Sequence, residues 1–359
     1  MFPRLSYLEW MGGRADAVPY DLGTTGLSDD DVDRTTVVPP RLADLESSPA
    51  GASLEHLLAT EYGVQPEQVL VTAGATHANF LAYASALGGD DSTVLVEDPA
   101  YPPLVETPRG LGAEIARFDR GDGGALDATR IDEAVTDETA LVTISNRHNP
   151  SGALSETDAI RRVADAAASH DAPLLVDEVY APYVIDERDG PFGGPSAASL
   201  ENTVVTGSLA KFFGLGGLRI GWIVGPREFV DQARRIAYHL PDVAGPSRAL
   251  AGRALYSVDA LIEDRRERVE TNHRLLSEFV ASRSDLEGTV HDGSTFAFLE
   301  PVEATVEEVF GAAWEEGVLV VPGEFYGVPQ RLRVSAGRAP TDVEVSLGRF
   351  AQVLTDVRR

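Results

Sequence analysis

The chain has no cysteine, a single lysine and two methionines among its 359 residues. Without cysteine there is no disulfide framework, no thiolate nucleophile and no Cys-ligated metal. Its apolar runs are too short for a membrane-spanning helix, so no membrane partner is expected. The N-terminus, MFPRLSYLEWMGG, lacks a continuous apolar segment, so no secretory signal is read and the expected compartment is the cytoplasm. Basic stretches are missing as well. Against 57 Asp and Glu stand 30 Lys and Arg, for a formal charge of −27. So acidic a surface repels a phosphate backbone, and nucleic acid is excluded as a partner. The seven histidines show no ligand spacing such as HExxH, so no metal is expected.

What is present is a globular composition. Apolar residues make up 43% of the chain, enough for a sizeable core, and the length suits about two domains. Lys211 is the one lysine, and the other 29 basic residues are arginine. Scarce lysine with abundant carboxylate fits adaptation to a salt-rich cytosol, and runs such as Asp29-Asp30-Asp31 read as a solvated face.

Short apolar runs alternate with helical stretches between about residues 69 and 226. Strands are expected at Val69–Thr72, Val94–Val96, Leu141–Ile144, Leu174–Val176 and Val204–Thr206. Helical spacing links Phe80, Leu81, Ala84 and Leu87, and likewise Ile160, Val163, Ala164 and Ala167. The pattern predicts an α/β fold with a mainly parallel sheet sandwiched by helices. Beyond about residue 245 a long helix is expected over Asp259–Arg283. Strands follow at Phe296–Leu299, Val318–Val321 and Leu332–Val334, and a last helix over Val343–Val357. This second part reads as a smaller α+β domain. The expected division is an arm with part of the small domain at 1–40, a large domain at 41–255 and a small domain at 256–359. The arm is expected to have little structure of its own.

Five polar clusters fall at predicted strand ends, where such sheets bind ligands. Gly74-Ala75-Thr76 precedes a helix and suits a phosphate, though alone it reads as a plain strand-to-helix turn. Tyr101, after Glu97-Asp98-Pro99, suits stacking on a flat ring, or is an ordinary half-buried aromatic. Asn149, in NRHNPSG, offers an amide in a sharp turn. In VDEVY, Asp177 suits a protonated ring nitrogen and Tyr180 a phenolate oxygen; the plain alternative is a helix cap beside a buried Tyr. The fifth is SLAKFFGLGGLRIGW, with Lys211 flanked by Ser208 and Arg219. A desolvated lysine can form a Schiff base, and an arginine fork suits phosphate. The glycines do not have dinucleotide-binding spacing, because Arg219 stands where a third glycine would be needed. A ring-nitrogen acid, phenolate donors, a stacking ring, a phosphate cup and an amine together describe a site for pyridoxal phosphate (PLP).

From the strand before Gly74 to the region after Arg333, the chain resembles the class I/II aminotransferases of PLP fold type I, the aspartate aminotransferase superfamily. The specific motifs are SLAKFFGLGGLRIGW, VDEVY and NRHNPSG. The resemblance implies a homodimer that moves amino groups between an L-amino acid and a 2-oxo acid. It implies that Lys211 is the Schiff-base lysine, that Asp177 holds the pyridinium, and that Tyr180 and Asn149 bind the ring phenolate. Tyr101 would stack on the ring, and Gly74, Ala75, Thr76, Ser208 and Arg219 would surround the phosphate. Arg333 would clamp the substrate carboxylate near Gly23, with Asn149 beside it. A histidinol-phosphate-type aminotransferase, a β-lyase or a decarboxylase stays open as an alternative, although the Asn-Glu-Asn signature of the first is missing. Three departures stand out. Arg147 replaces a common Pro, Ala210 replaces a common Ser, and Leu45-Glu46-Ser47-Ser48 lacks a Tyr that reaches the neighbouring subunit's phosphate. For an acidic substrate side chain the candidates are Arg147, Arg248 and Arg338, each reading more simply as a surface arginine. His77, His148, Trp222 and Phe325 read as structural or pocket-wall residues.

Overall fold

The computed structural model describes residues 2–28, 36–49, 51–89, 92–184, 191–194 and 196–357; the acidic run Asp29–Asp31 lies outside them. The chain opens with α1 (Ser6–Met11), α2 (Arg14–Ala17) and β1 (Tyr20–Asp21). It continues through α3 (Pro40–Ala43), α4 (Leu54–Tyr62), β2 (Val69–Thr72), α5 (Ala75–Ala86), β3 (Thr93–Asp98), α6 (Pro102–Gly110) and β4 (Glu114–Asp119). Next come α7 (Ala128–Ala134), β5 (Thr139–Ser145), α8 (Thr157–Ala168), β6 (Leu174–Asp177), β7 (Thr203–Ser208), β8 (Gly221–Val224) and α9 (Arg227–Ala237). Then follow α10 (Gly245–Tyr256), α11 (Val258–Ala281), β9 (Leu286–Glu287), β10 (Phe296–Pro301), α12 (Val306–Glu315), β11 (Val318–Leu319), β12 (Val321–Pro322), β13 (Leu332–Ser335) and α13 (Pro340–Val357).

A seven-stranded sheet runs in the order β2-β8-β7-β6-β5-β3-β4. Only β8 is antiparallel to its neighbours, β2 and β7. β5, β6 and β7 are buried at every position because helices cover both faces. Leu81 of α5, Leu104 of α6 and Val230 of α9 pack with Val94 and Val204 on one side. Ile131 of α7 and Ile160 and Val163 of α8 pack with Val142 and Val205 on the other. A second sheet, β12-β13-β10-β9, is antiparallel and packs with α11, α12 and α13 around Leu276, Leu299, Val309 and Phe350. Among the described residues no helix is long and apolar enough to cross a membrane.

Several expectations change. Val318–Val321 is not one strand. β11 pairs in parallel with β1, whereas β12 pairs antiparallel with β13, so the chain switches sheets at the fully buried Val320. The arm is more structured than expected: it carries two short helices, and β1 adds to the C-terminal part of the chain. Two strands of the large sheet were illegible. β4 is an edge strand with charged, partly exposed positions, and β8 lies inside the glycine-rich stretch. In α5 the buried apolar residues are Ala78, Leu81, Ala82 and Tyr83, with Phe80, Ala84 and the capping Leu87 half-buried. Asn79 is buried alongside them.

Candidate active site

The polar strand ends meet at one edge of the large sheet. β2, β3, β5, β6 and β7 all end there, and the loops after them line a cavity of about 680 Å³. Gly74, Ala75, Thr76, Tyr101, Asn149, Asp177, Tyr180, Ser208, Lys211 and Arg219 all reach it.

Asp177 is the last residue of β6, so its side chain emerges where the strand stops. Its carboxylate accepts from Asn79 Nδ2 at 2.9 Å and from the Val179 backbone N–H at 3.1 Å. Asn79 is oriented in turn by the Thr206 hydroxyl, which donates to its Oδ1 at 2.7 Å. Burial pushes the Asp177 carboxyl up, while these donors and Lys211 pull it down. A buried carboxylate held this way is poised for a cationic partner in the cavity.

Thr25 joins two further groups. Its hydroxyl lies 2.7 Å from the Tyr180 hydroxyl and accepts from Lys211 Nζ at 3.3 Å. The Lys211 ammonium also sits 5.8 Å from the centre of the Tyr180 ring.

At the start of α5, Gly74 adopts φ +88°, which turns the chain from β2 into the helix. A side chain there would press to 3.1 Å against Arg219 Nη2. Gly221 of β8 lets that turn approach, since a Cβ on it would lie 2.4 Å from the Gly74 carbonyl carbon. At the start of α5 the N–H groups of Ala75 and Thr76 have no acceptor within the helix, and both residues line the cavity with Ser208 and Arg219 alongside, an arrangement that suits an anion. His77 braces the turn by accepting from the Ala73 N–H at 3.1 Å.

Arg333 and Gly23 are not in the lining but directly behind it. Arg333 is buried in β13 and donates to Asn149 Oδ1 at 3.0 Å, to the Tyr7 hydroxyl at 3.0 Å and to the Gly23 carbonyl at 2.9 Å. Among the described residues its Nε–H has no partner. Tyr7, from α1, lines the cavity and meets Tyr101 edge-on at 5.8 Å.

The expected surface arginines are corrected in part. Arg147 is fully buried, donating to the carbonyls of Gly152 and Tyr183 at 2.7 and 2.9 Å, and desolvation pulls it down to about 10. Arg248 pairs with Glu55 and Asp242, and Arg338 pairs with Asp21 at 3.1 Å. His148 is buried and its pKa is pushed well below the usual range by desolvation. Its Nε2 donates to the Pro99 carbonyl, leaving Nδ1 to accept from Ser151. Trp222 is core; Phe325 packs on Tyr7 and Trp10 behind α1. At the departure near residue 47, Ser47 Oγ accepts from Arg253.

Asn79, Thr25 and Tyr7 were not found from sequence. Asn79 had one signal, a polar residue beside the apolar stripe of a helix. Thr25 and Tyr7 had none, because they are brought in from the arm.

The residues fit PLP. An acid, a lysine, a phenol, an amide, a stacking ring and an anion cup line one cavity of suitable size. The family model for aminotransferase class I and II matches residues 46–350. Capreomycidine synthase of Streptomyces vinaceus is 30% identical over 295 residues, covering 80% of this chain and 74% of that protein. Histidinol-phosphate aminotransferase of Dinoroseobacter shibae is 30% identical over 294 residues, covering 80% and 77%. A solved PLP-dependent aminotransferase from Streptococcus suis 89-1591 superposes with a TM-score of 0.86 at 23% identity, over 100% of this chain and 99% of that one.

Proposed function

The chain belongs to the class I and II aminotransferases, and from that premise we propose that it binds PLP at Lys211 and moves amino groups between an L-amino acid and a 2-oxo acid. The observation that carries the reading is the shared cavity of the chain's one lysine and the buried, doubly hydrogen-bonded Asp177. When bound, PLP supplies an aldehyde that condenses with amines and a pyridinium ring that takes up the electrons of a broken Cα–H bond.

The protein's part is binding, orientation and proton transfer. Asp177, held by Asn79, keeps the ring nitrogen protonated. Tyr180 and Asn149 bind the phenolate oxygen, and Tyr101 stacks on the ring. Ala75, Thr76, Ser208 and Arg219 hold the phosphate behind Gly74. Lys211 Nζ would be the base that removes the proton of the substrate Cα–H bond and the acid that returns it. Arg333 receives the substrate carboxylate beside Asn149 and Gly23, with its Nε–H, unpartnered among the described residues, as one donor. The two half-reactions alternate on one site, which gives ping-pong kinetics. The same reading assigns residues 41–255 to the cofactor domain and 256–359 to the small domain. It also makes the protein a cytoplasmic homodimer.

Absorbance spectroscopy tests this. Protein in high salt is mixed with PLP, then with glutamate, aspartate, alanine or an aromatic amino acid singly, with Lys211→Ala alongside. The expected result is a visible band in wild type alone, bleached by a donor as a 2-oxo acid forms. Ammonia with pyruvate as products would mean elimination instead. No band would overturn the reading.

A further inference from the structure

We infer that the amino donor carries an uncharged, apolar side chain, seated against Leu8 and Met11 of α1. The inference rests on the aminotransferase reading and narrows its substrate. Among the described residues lining the cavity, the charged ones are Lys211, Arg219 and Asp177. All three have work with the cofactor. Arg219 stands against the Gly74 turn, and Lys211 is on Thr25. With Arg333, behind the lining, assigned to the donor's own carboxylate, a second carboxylate or a phosphate finds no further cation among the described lining residues.

The arginines that could have served are engaged elsewhere. Arg147 is buried on two carbonyls, Arg248 is paired with Glu55 and Asp242, and Arg338 is paired with Asp21. None of them lines the cavity. The wall that remains for a side chain comes from α1 and from the segment after Gly23. It presents Leu8, Met11 and Leu27, with Thr24 and Ser28 as its neutral polar members. Leu8 is 38% exposed, an uncovered apolar surface on the cavity wall. The helix that carries it is anchored from behind: Trp10 packs on Phe310 and Phe325, and the Arg14 guanidinium lies 4.7 Å from both the Trp10 and the Trp314 rings. An apolar side chain gains by covering Leu8 and Met11, whereas a carboxylate there is stripped of water without compensation.

Equilibrium binding to the PLP-loaded protein tests this without turnover. Carboxylates that lack an amino group are titrated by calorimetry: 3-phenylpropanoate and 4-methylpentanoate against succinate, glutarate and 3-phosphonopropanoate. The apolar pair is expected to bind at least about tenfold more tightly. Met11→Arg is expected to shrink or reverse that ratio. Should that variant fail to fold, Leu8→Ala carries the test, with several-fold weaker binding of the apolar pair and unchanged diacid binding. Equal or tighter diacid binding by wild type, including by a cation from a partner subunit, overturns the inference while the visible band leaves the aminotransferase reading standing. A protein that takes up no PLP overturns both.

Discussion

Asn79 does at residue scale what no motif announces. It is the amide that fixes the Asp177 carboxylate, and Thr206 fixes it in turn. Asn79→Ala leaves the carboxylate one donor fewer and the Thr206 hydroxyl without its acceptor. Chemical denaturation should record a loss of about 2 kcal/mol. Equilibrium dialysis should record weaker retention of PLP; unchanged retention would contradict the role given to Asp177. Glu178, the next residue, titrates for a different reason. It is fully buried, accepting from Ser196 Oγ and the Ala197 N–H, and desolvation raises it from 4.5 to about 7. A carboxyl whose folded pKa is raised favours folding below its unfolded pKa, and that contribution is lost as pH rises through the folded value. The window is therefore about pH 4.5 to 7. Glu178→Gln removes the titration. The melting temperature of the variant minus that of wild type should grow across this window, by at most on the order of 3 kcal/mol in stability. A difference that is flat with pH would refute the assignment.

Elements are locked together by a buried ion pair. Arg120, just after β4, meets Glu97 of β3 at 2.6 Å, and both side chains are wholly inaccessible. Glu97 also accepts from the Ser145 N–H and hydroxyl at the end of β5, which sets the rim on which Asn149 sits. Arg120→Met strands the Glu97 carboxylate, and the expected cost is about 3–5 kcal/mol by denaturation. Glu97→Gln in that background should recover part of it, because the remaining group is neutral. At this scale the sequence was readable where burial is two-sided. Leu174–Val176 is a continuous apolar run and Leu141–Ile144 is one apart from Thr143, and they lie inside β6 and β5. It was unreadable where pairing partners decide. Val318–Val321 has uniform strand chemistry, yet its halves belong to different sheets, because β1 and β13 compete for them.

The whole molecule carries a charge of −27 with almost no lysine. Its like charges repel across the surface at low ionic strength, and salt shortens their reach to about 3 Å at 1 M. The melting temperature should rise steadily as KCl is added. A protein equally stable in dilute buffer would remove the case for adaptation to a salt-rich cytosol. Described surface pairs such as Arg274 with Glu278 are exposed and offset little of this repulsion.

Much of the site was legible in the residues alone. Lys211, Asp177, Tyr180, Asn149, Tyr101 and the Gly74 turn were singled out because each ends a strand or opens a helix, and these ends of a parallel sheet converge. That convergence follows from local pattern, so sequence suffices for it. The supporting residues depended on the tertiary structure. Thr25 and Tyr7 lie 186 and 326 residues from the Lys211 and Arg333 atoms they touch. No periodicity relates positions so far apart; only packing of the arm against both sheets brings them together. The same packing places Leu8 and Met11 on the cavity wall. The candidate site's chemical groups were thus written in local motifs, and the shape of the cavity was decided by where the arm folds back.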